Sequence, residues 1–170
     1  MVGSSQAPRA GPRNEMEHEK ILRELEEFAK TAASPKAVME GIAARLHEKM
    51  ARYNWVGFYL VDKTDPNLLV IGPYVGSFAP NERIPFDTGF CGQAARTGRT
   101  VVIDDVAKDA QYLQGSSMVV SEIVVPITVS GKLVGELDVE SYFPNTFTKT
   151  EQEFVEACAR IAGRYLAKGI

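Results

Sequence analysis

The sequence predicts a layered α+β domain in which the N- and C-terminal helices pack on one face of a mostly antiparallel sheet. Amphipathic helical patterns stand at both ends of the chain. Short apolar runs separated by turn residues fill the middle, and such runs are typical of strands. One short helical pattern interrupts them. Helices that share one sheet face leave the other face free for a ligand pocket.

The N-terminal region is predicted to contain a tail and two helices. Residues Met1–Asn14 are rich in Gly, Ser, Pro and Arg, which is typical of a disordered tail or an expression remnant, and we place the domain at 15–170. A helical pattern begins at Glu15. A second begins near Pro35, where Ser34 can cap the helix and proline suits the first turn because no amide donor is needed there.

The rest of the chain is predicted to supply six strands and two further helices. The short helix Gly89–Thr97 lies between the third and fourth strands. The last two strands form a hairpin across Ser130-Gly131, and Thr148 with Glu151 predicts a capping box for the final helix. The predicted strands are Trp55–Val61, Leu68–Ile71, Arg83–Phe86, Thr100–Ile103, Glu122–Val129 and Lys132–Glu140.

The composition excludes several classes of function. The chain has 170 residues and a formal net charge of -3, which gives no electrostatic case for nucleic acid binding. No apolar run approaches the roughly 20 residues of a membrane helix. Two cysteines and two histidines are too few for a disulfide framework, a thiolate metal site or a His-rich zinc site. We therefore expect one cytoplasmic domain with no cofactor and no metal.

Four segments together point to a known family. They are NWVGFYL at 54–60, RIPFDTGFCG at 83–92, SEIVVP at 121–126 and GELDVES at 135–141. In this order and spacing the sequence resembles the GAF domain family, and more narrowly its stand-alone free methionine-(R)-sulfoxide reductases. The resemblance covers most of the chain after the tail. It implies a six-stranded antiparallel sheet between helices, with a small closed ligand pocket on one side.

The resemblance also implies which residues form the pocket. An aromatic box is expected to hold the methyl-sulfur end of the ligand, and carboxylates its amino-acid end. Without the resemblance, the same residues would be interpreted as surface acids and core aromatics. Gly57 shares a strand face with the aromatics, which leaves space for something small. Carried over by motif, the aromatics are Trp55 and Tyr59, and the carboxylates are Glu122, Asp138 and Glu140.

The cysteines depart from the family pattern. The family's nucleophilic thiolate lies seven residues before the SEIVVP glutamate, where this chain has Gly115, and Asn81 stands where a second family cysteine is common. Cys91 remains, in the first turn of a helix whose amide donors and dipole favour a thiolate. Alternatively, Cys91 is a small buried side chain that fills space. Gly115, Ser116 and Ser117 are predicted to form a mobile lid loop.

Three functional hypotheses follow. The first is a binder or sensor of a small zwitterion such as methionine sulfoxide, because three carboxylates favour an ammonium-bearing ligand. The second is an active reductase that uses Cys91, with Glu122 or Asp138 as the acid and an external thiol as reductant. The third is a structural or regulatory domain, which a pocket filled by its own side chains would favour. The terminal helices are candidates for a homodimer interface.

Overall fold

A six-stranded antiparallel sheet forms the centre of the molecule. The computed structural model describes residues 11–109 and 116–169. Its helices are α1 (Pro12–Thr31), α2 (Pro35–Lys49), α3 (Gly89–Thr97) and α4 (Lys149–Lys168), with a short 3₁₀ turn at Val106–Lys108. Its strands are β1 (Trp55–Val61), β2 (Leu68–Gly76), β3 (Arg83–Pro85), β4 (Val101–Ile103), β5 (Ser121–Val129) and β6 (Lys132–Ser141).

The strand order places distant parts of the sequence side by side. The order across the sheet is β3-β2-β1-β6-β5-β4, so β1 and β6 form its centre. Trp55 lies opposite Glu140, and Gly57 lies opposite Asp138. Because directly opposed residues point to the same face of a sheet, the aromatics of β1 and the acids of β6 share one face.

The two faces of the sheet are covered differently. Helices α2 and α4 pack on one face, against strand residues that include Val56, Phe58 and Leu137, and α1 packs on these two helices. Helix α3 and the connections cover the other face, where Leu69 and Ile84 are buried. The predicted α+β architecture, with the terminal helices on one face, is therefore confirmed. In the part of the chain described above, no helix has the length and apolarity of a membrane span.

Local signals act at the element ends as predicted, with two differences. Ser34 caps α2 by accepting from the Ala37 amide at 3.1 Å, and Ser130 and Gly131 both have positive φ, as a tight hairpin turn requires. Helix α1 begins at Pro12 and so includes three residues of the segment that we assigned to the tail. Strand β2 continues to Gly76, five residues beyond its predicted end at 71.

Glu151 makes only half of the predicted capping box. Its amide donates to Thr148 Oγ1 at 3.4 Å. Its carboxylate turns inward instead, where it accepts from the Tyr53 hydroxyl and lies 3.2 Å from His18 Nε2. His18 also stacks on Phe154, with ring centroids 4.0 Å apart. This buried network joins α1, α4 and the segment before β1.

Candidate functional site: a buried carboxylate cavity

Four carboxyl groups converge on the sheet face opposite the terminal helices. Asp138 and Glu140 alternate along β6, and Glu122 of β5 lies directly opposite Glu140. Glu136, two residues before Asp138, belongs to the same face and is fully buried. The three predicted carboxylates are therefore brought together as expected. Glu136 was missed, although the two-residue period of a strand extends to it from Asp138.

These carboxyl groups lack the partners that burial normally requires. Both oxygens of Glu136, Oδ1 of Asp138 and Oε2 of Glu140 have no hydrogen-bond partner among the described residues. No Lys, Arg or His side chain in that part of the chain forms an ion pair with any of the four acids. Leaving a buried carboxylate unpaired costs several kcal/mol, on the order of the effective penalty per buried ion.

Burial changes the ionisation of the cluster. Desolvation raises the pKa of Asp138 to about 7, against hydrogen bonds from Glu122 and Cys91 that lower it. Desolvation and the charge of Asp138 raise the pKa of Glu122, and the same two causes act on Glu136 and Glu140. Since carboxylates in close contact cannot all ionise, these raised pKa values favour a cluster that keeps some of its protons.

Cys91 lies in the first turn of α3 and faces this cluster. Its Sγ donates to Asp138 Oδ2 at 3.6 Å. Burial and the nearby carboxylates, Asp138 foremost, raise the pKa of the thiol. This corrects the expectation that the helix N-terminus favours a thiolate: the negative surroundings and desolvation outweigh the helix dipole. Cys158, the second cysteine, is fully buried among the helices, on the far side of the sheet.

The aromatic residues lie beside the cluster as a stacked group. The indole of Trp55 stacks on Tyr74 and Phe78, with ring centroids 5.6 and 5.8 Å away, and lies 6.4 Å from Tyr59. A methyl group on Gly57 would overlap the Trp55 ring. The space that Gly57 leaves is therefore filled by the protein's own tryptophan, not by a ligand, which corrects that expectation. The indole Nε1 is buried and has no hydrogen-bond partner within residues 11–109 and 116–169.

The cavity itself is small and only partly enclosed. Its volume is about 20 Å³, and its lining includes Tyr59, Asn81, Cys91, Glu122 and Glu140. A single water molecule needs about 10–15 Å³ of such space, so an amino acid does not fit without movement. Trp55 is not among the described residues that line the cavity. It lies opposite Glu140 in the sheet and beside the ring of Tyr59.

Residues 77–82, between β2 and β3, lie beside the cavity, and Asn81 contributes to its lining. The Tyr59 hydroxyl donates to the Asn81 carbonyl at 2.9 Å. Phe78 stacks on Trp55, and the hydroxyls of Ser77 and Tyr142 are 2.6 Å apart. From the sequence, Asn81 was identified only as the position where a family cysteine is replaced. Tyr74 and Phe78 flank the end of β2. These two aromatic residues are the sequence feature from which the packing of this segment against Trp55 could have been predicted.

The predicted lid loop is described only in part. Gly115 lies outside the described residues. Ser116 and Ser117 belong to a turn in which the Met118 amide donates to Ser116 Oγ at 3.2 Å. Neither serine lines the cavity. Their role as a lid stays a prediction.

A larger groove elsewhere does not share this chemistry. It has a volume of about 610 Å³ and lies between β5 and α4, where Glu156, Arg160 and Arg164 contribute to its lining. No buried side-chain atom without a hydrogen-bond partner lines it in the described part of the chain. The carboxylate cavity is therefore the stronger candidate site, despite its size.

Comparisons with known proteins show which family the chain is similar to. The family model for the GAF domain matches residues 34–166. Protein YtsP of Bacillus subtilis is 32% identical over 154 residues, covering 91% of this chain and 93% of its own. The free methionine-R-sulfoxide reductase of Escherichia coli is 32% identical over 117 residues, covering 69% and 68%.

A solved structure extends the similarity to the fold. The X-ray structure of free methionine-R-sulfoxide reductase from Neisseria meningitidis, in complex with its substrate, superimposes with a TM-score of 0.86. Its sequence is 31% identical, and the match covers 98% of this chain and 99% of that one.

Proposed function

We propose that this chain, which belongs to the GAF domain family and is related to free methionine-R-sulfoxide reductases, binds a small zwitterionic amino acid such as methionine sulfoxide and does not reduce it. The observation that supports this most is the pair of buried carboxyl oxygens, Asp138 Oδ1 and Glu140 Oε2, that have no partner among the described residues and belong to residues lining the cavity. An ammonium group supplies the positive charge and the N–H donors that these oxygens lack.

The residues around the cavity suit the two ends of such a ligand. The ammonium group would lie among Glu122, Asp138 and Glu140. Tyr59 and the Trp55 cluster would contact the methyl-sulfur end, because sulfur packs favourably against aromatic rings. Admission of the ligand requires residues 77–82 to move away from Tyr59 and Trp55.

The proposal that the chain does not reduce its ligand depends on its cysteines. The chain has two, and Cys158 is buried in the helical layer away from the cavity. The position that the resemblance gives to the nucleophile holds Gly115. Cys91 faces the cavity, but burial beside four carboxyl groups raises its pKa and disfavours the thiolate that attack on sulfur requires.

An active reductase is the second candidate, favoured by the contact between Cys91 Sγ and Asp138 Oδ2 at 3.6 Å. Asp138 would take the thiol proton, and the thiolate would attack the sulfoxide sulfur. The sulfoxide oxygen then passes to Cys91 as a sulfenic acid while methionine leaves, and an external dithiol returns the thiol with release of water.

A purely structural role is disfavoured on energetic grounds. The small cavity and the packed Trp55 are the features expected of a structural domain. A structural core, however, gains nothing from four buried acids of which three keep carboxyl oxygens without a partner among the described residues, since apolar residues of similar size are as stable or more so.

Binding of L-methionine-(R)-sulfoxide, measured by calorimetry, tests the proposal. We expect one site per chain, and an affinity reduced by at least about tenfold in Glu122→Gln, the scale of one charge-assisted hydrogen bond. Glu156→Gln is the matched control, since Glu156 accepts from Thr100 Oγ1 away from the cavity. N-acetyl methionine sulfoxide, which lacks the ammonium group, should not bind. Equal binding of both compounds, or no binding of either, contradicts the proposal.

A further inference from the structure

The carboxylate cavity contains a thiol that recognition of an ammonium group does not need. Cys91 is buried on the same side as the acids, and its sulfur is directed at Asp138. We propose that the cavity also binds a divalent transition-metal ion of borderline softness, with Zn²⁺ as the representative, through Cys91 Sγ and one carboxylate oxygen each from Glu122 and Asp138.

The spacing of the donor atoms suits one ion. One ligand atom from each of Cys91, Glu122 and Asp138 lies within 4.8 Å of the other two. With bonds of about 2.3 Å to sulfur and 2.0 Å to oxygen, tetrahedral angles separate a sulfur and an oxygen ligand by about 3.5 Å. The Sγ–Oδ2 distance of 3.6 Å therefore already equals the separation that a shared Zn²⁺ imposes.

A second observation indicates a cation independently of these three residues. Glu140 is 93% buried and lines the same cavity, and its Oε2 has no partner. Glu140 lies outside the group of mutually close donor atoms and contributes negative charge beside the site. Within the group, Asp138 keeps a second oxygen, Oδ1, that has no partner among the described residues and can supply a further ligand. The described lining contains no Lys, Arg or His to neutralise these groups.

The size of the cavity favours an ion in the structure as it stands. A volume of about 20 Å³ has room for one water-sized body. A metal ion fits with residues 77–82 in place, whereas an amino acid requires them to open. The two occupants therefore use different conformations of the same site.

The donor set selects the kind of metal. A thiolate with carboxylates suits Zn²⁺, Co²⁺ or Cd²⁺, whereas Mg²⁺ and Ca²⁺ prefer sets made of oxygen alone. Binding breaks the S–H bond of Cys91, and its proton leaves to solvent as sulfur coordinates the ion. We predicted no metal site from the low numbers of cysteine and histidine. Those numbers argue only against sites built from thiolates alone or from histidines, and not against a site that combines one thiol with carboxylates from the strands.

This inference does not rest on the proposed amino-acid ligand, because the ion occupies the small cavity whether or not methionine sulfoxide binds. If both bind, they exclude each other, and saturating Zn²⁺ should abolish the calorimetric signal of methionine sulfoxide. Simultaneous binding of both would overturn the shared location.

Metal titration of the full chain, after treatment with a chelator and dialysis, tests the proposal. With Cd²⁺ we expect one ion per chain and a sulfur-to-metal charge-transfer band. Cys91→Ser should abolish the band and lower Zn²⁺ affinity by about 100-fold in competition with a chromophoric chelator. Cys158→Ala is the matched control and should keep the band, since Cys158 lies in the helical core.

A further variant tests the same site without changing either cysteine. Asp138→Asn leaves both thiols in place and should weaken Zn²⁺ binding, so it reports on the site if Cys91→Ser fails to fold. The proposal is overturned if the unmodified chain takes up no Cd²⁺, or if the band survives in Cys91→Ser and disappears in Cys158→Ala.

Discussion

Replacing Asp138 by Asn removes an ionisation that opposes folding. Burial raises the pKa of Asp138 from 3.8 to about 7, so the folded protein keeps a proton that the unfolded chain releases above about pH 4. The folded state thus binds more protons across this range, and the free energy of unfolding falls as pH rises from about 4 to about 7. Asn cannot ionise, so in the variant this position causes no fall in the free energy of unfolding as the pH rises.

The magnitude follows from the shift. About three pKa units at 1.36 kcal/mol each correspond to about 4 kcal/mol at pH 8, and to about 2 kcal/mol at pH 5. The charge of Asp138 also raises the pKa of Glu122 and Glu140, which adds to the effect with the same sign. We therefore expect Asp138→Asn to be more stable than the unmodified chain, by a margin that grows by about 2 kcal/mol from pH 5 to pH 8.

Thermal unfolding followed by circular dichroism, with chelator present, measures this margin. For a chain of this size, 2 kcal/mol corresponds to a Tm difference of about 5 °C. Asp62→Asn is the control, because hydrogen bonds from Thr64 lower the pKa of Asp62 to about 2 and its ionisation is complete at both pH values. Parallel Tm profiles for Asp138→Asn and the unmodified chain would refute the reasoning.

Three further predictions concern the packing around the site and the helical face. Gly57→Ala should displace the Trp55 ring and destabilise the protein by about 1–3 kcal/mol, measured by urea unfolding; an unchanged midpoint would contradict the overlap. Tyr53→Phe leaves the buried Glu151 without one donor and should cost about 1–3 kcal/mol in the same assay, whereas a neutral result would mean that His18 alone satisfies it. Trp55 is the single tryptophan and stacks on Phe78, so binding of methionine sulfoxide should change the Trp55 fluorescence as residues 77–82 move. A fluorescence change of the same size in Phe78→Ala would mean that movement of Phe78 does not cause it.

Much of the fold could be predicted from the sequence, because its local signals agree with the tertiary structure. The WVGFYLV run gives β1 with the bounds predicted, and Ser34 and Thr148 cap the helices that they precede. The end of β2 was placed too early, because Gly72 and Pro73 are usually turn residues. Pairing with β1 on one side carries the strand through them to Gly76.

The site could be predicted only where family resemblance and strand period coincide. Asp138 and Glu140 alternate on β6, and the structure places both at the cavity with Glu122. The packing of Trp55 over Gly57 depends on the rotamer of the tryptophan side chain. The two-residue period of a strand gives the face on which the side chain lies, but not its rotamer. The raised pKa of the Cys91 thiol depends on carboxylates that are distant in sequence, and the buried Glu151 depends on Tyr53 across two elements.

The proposal that the chain binds methionine sulfoxide without reducing it is tested by turnover of free L-methionine-(R)-sulfoxide with dithiothreitol, in the unmodified chain and in Gly115→Cys. We expect no methionine from the unmodified chain, because burial and the nearby carboxylates raise the pKa of the Cys91 thiol. We expect measurable turnover in Gly115→Cys, which restores a cysteine at the position that the family resemblance gives to the nucleophile. Turnover by the unmodified chain that disappears in Cys91→Ser would contradict the account and make Cys91 the nucleophile.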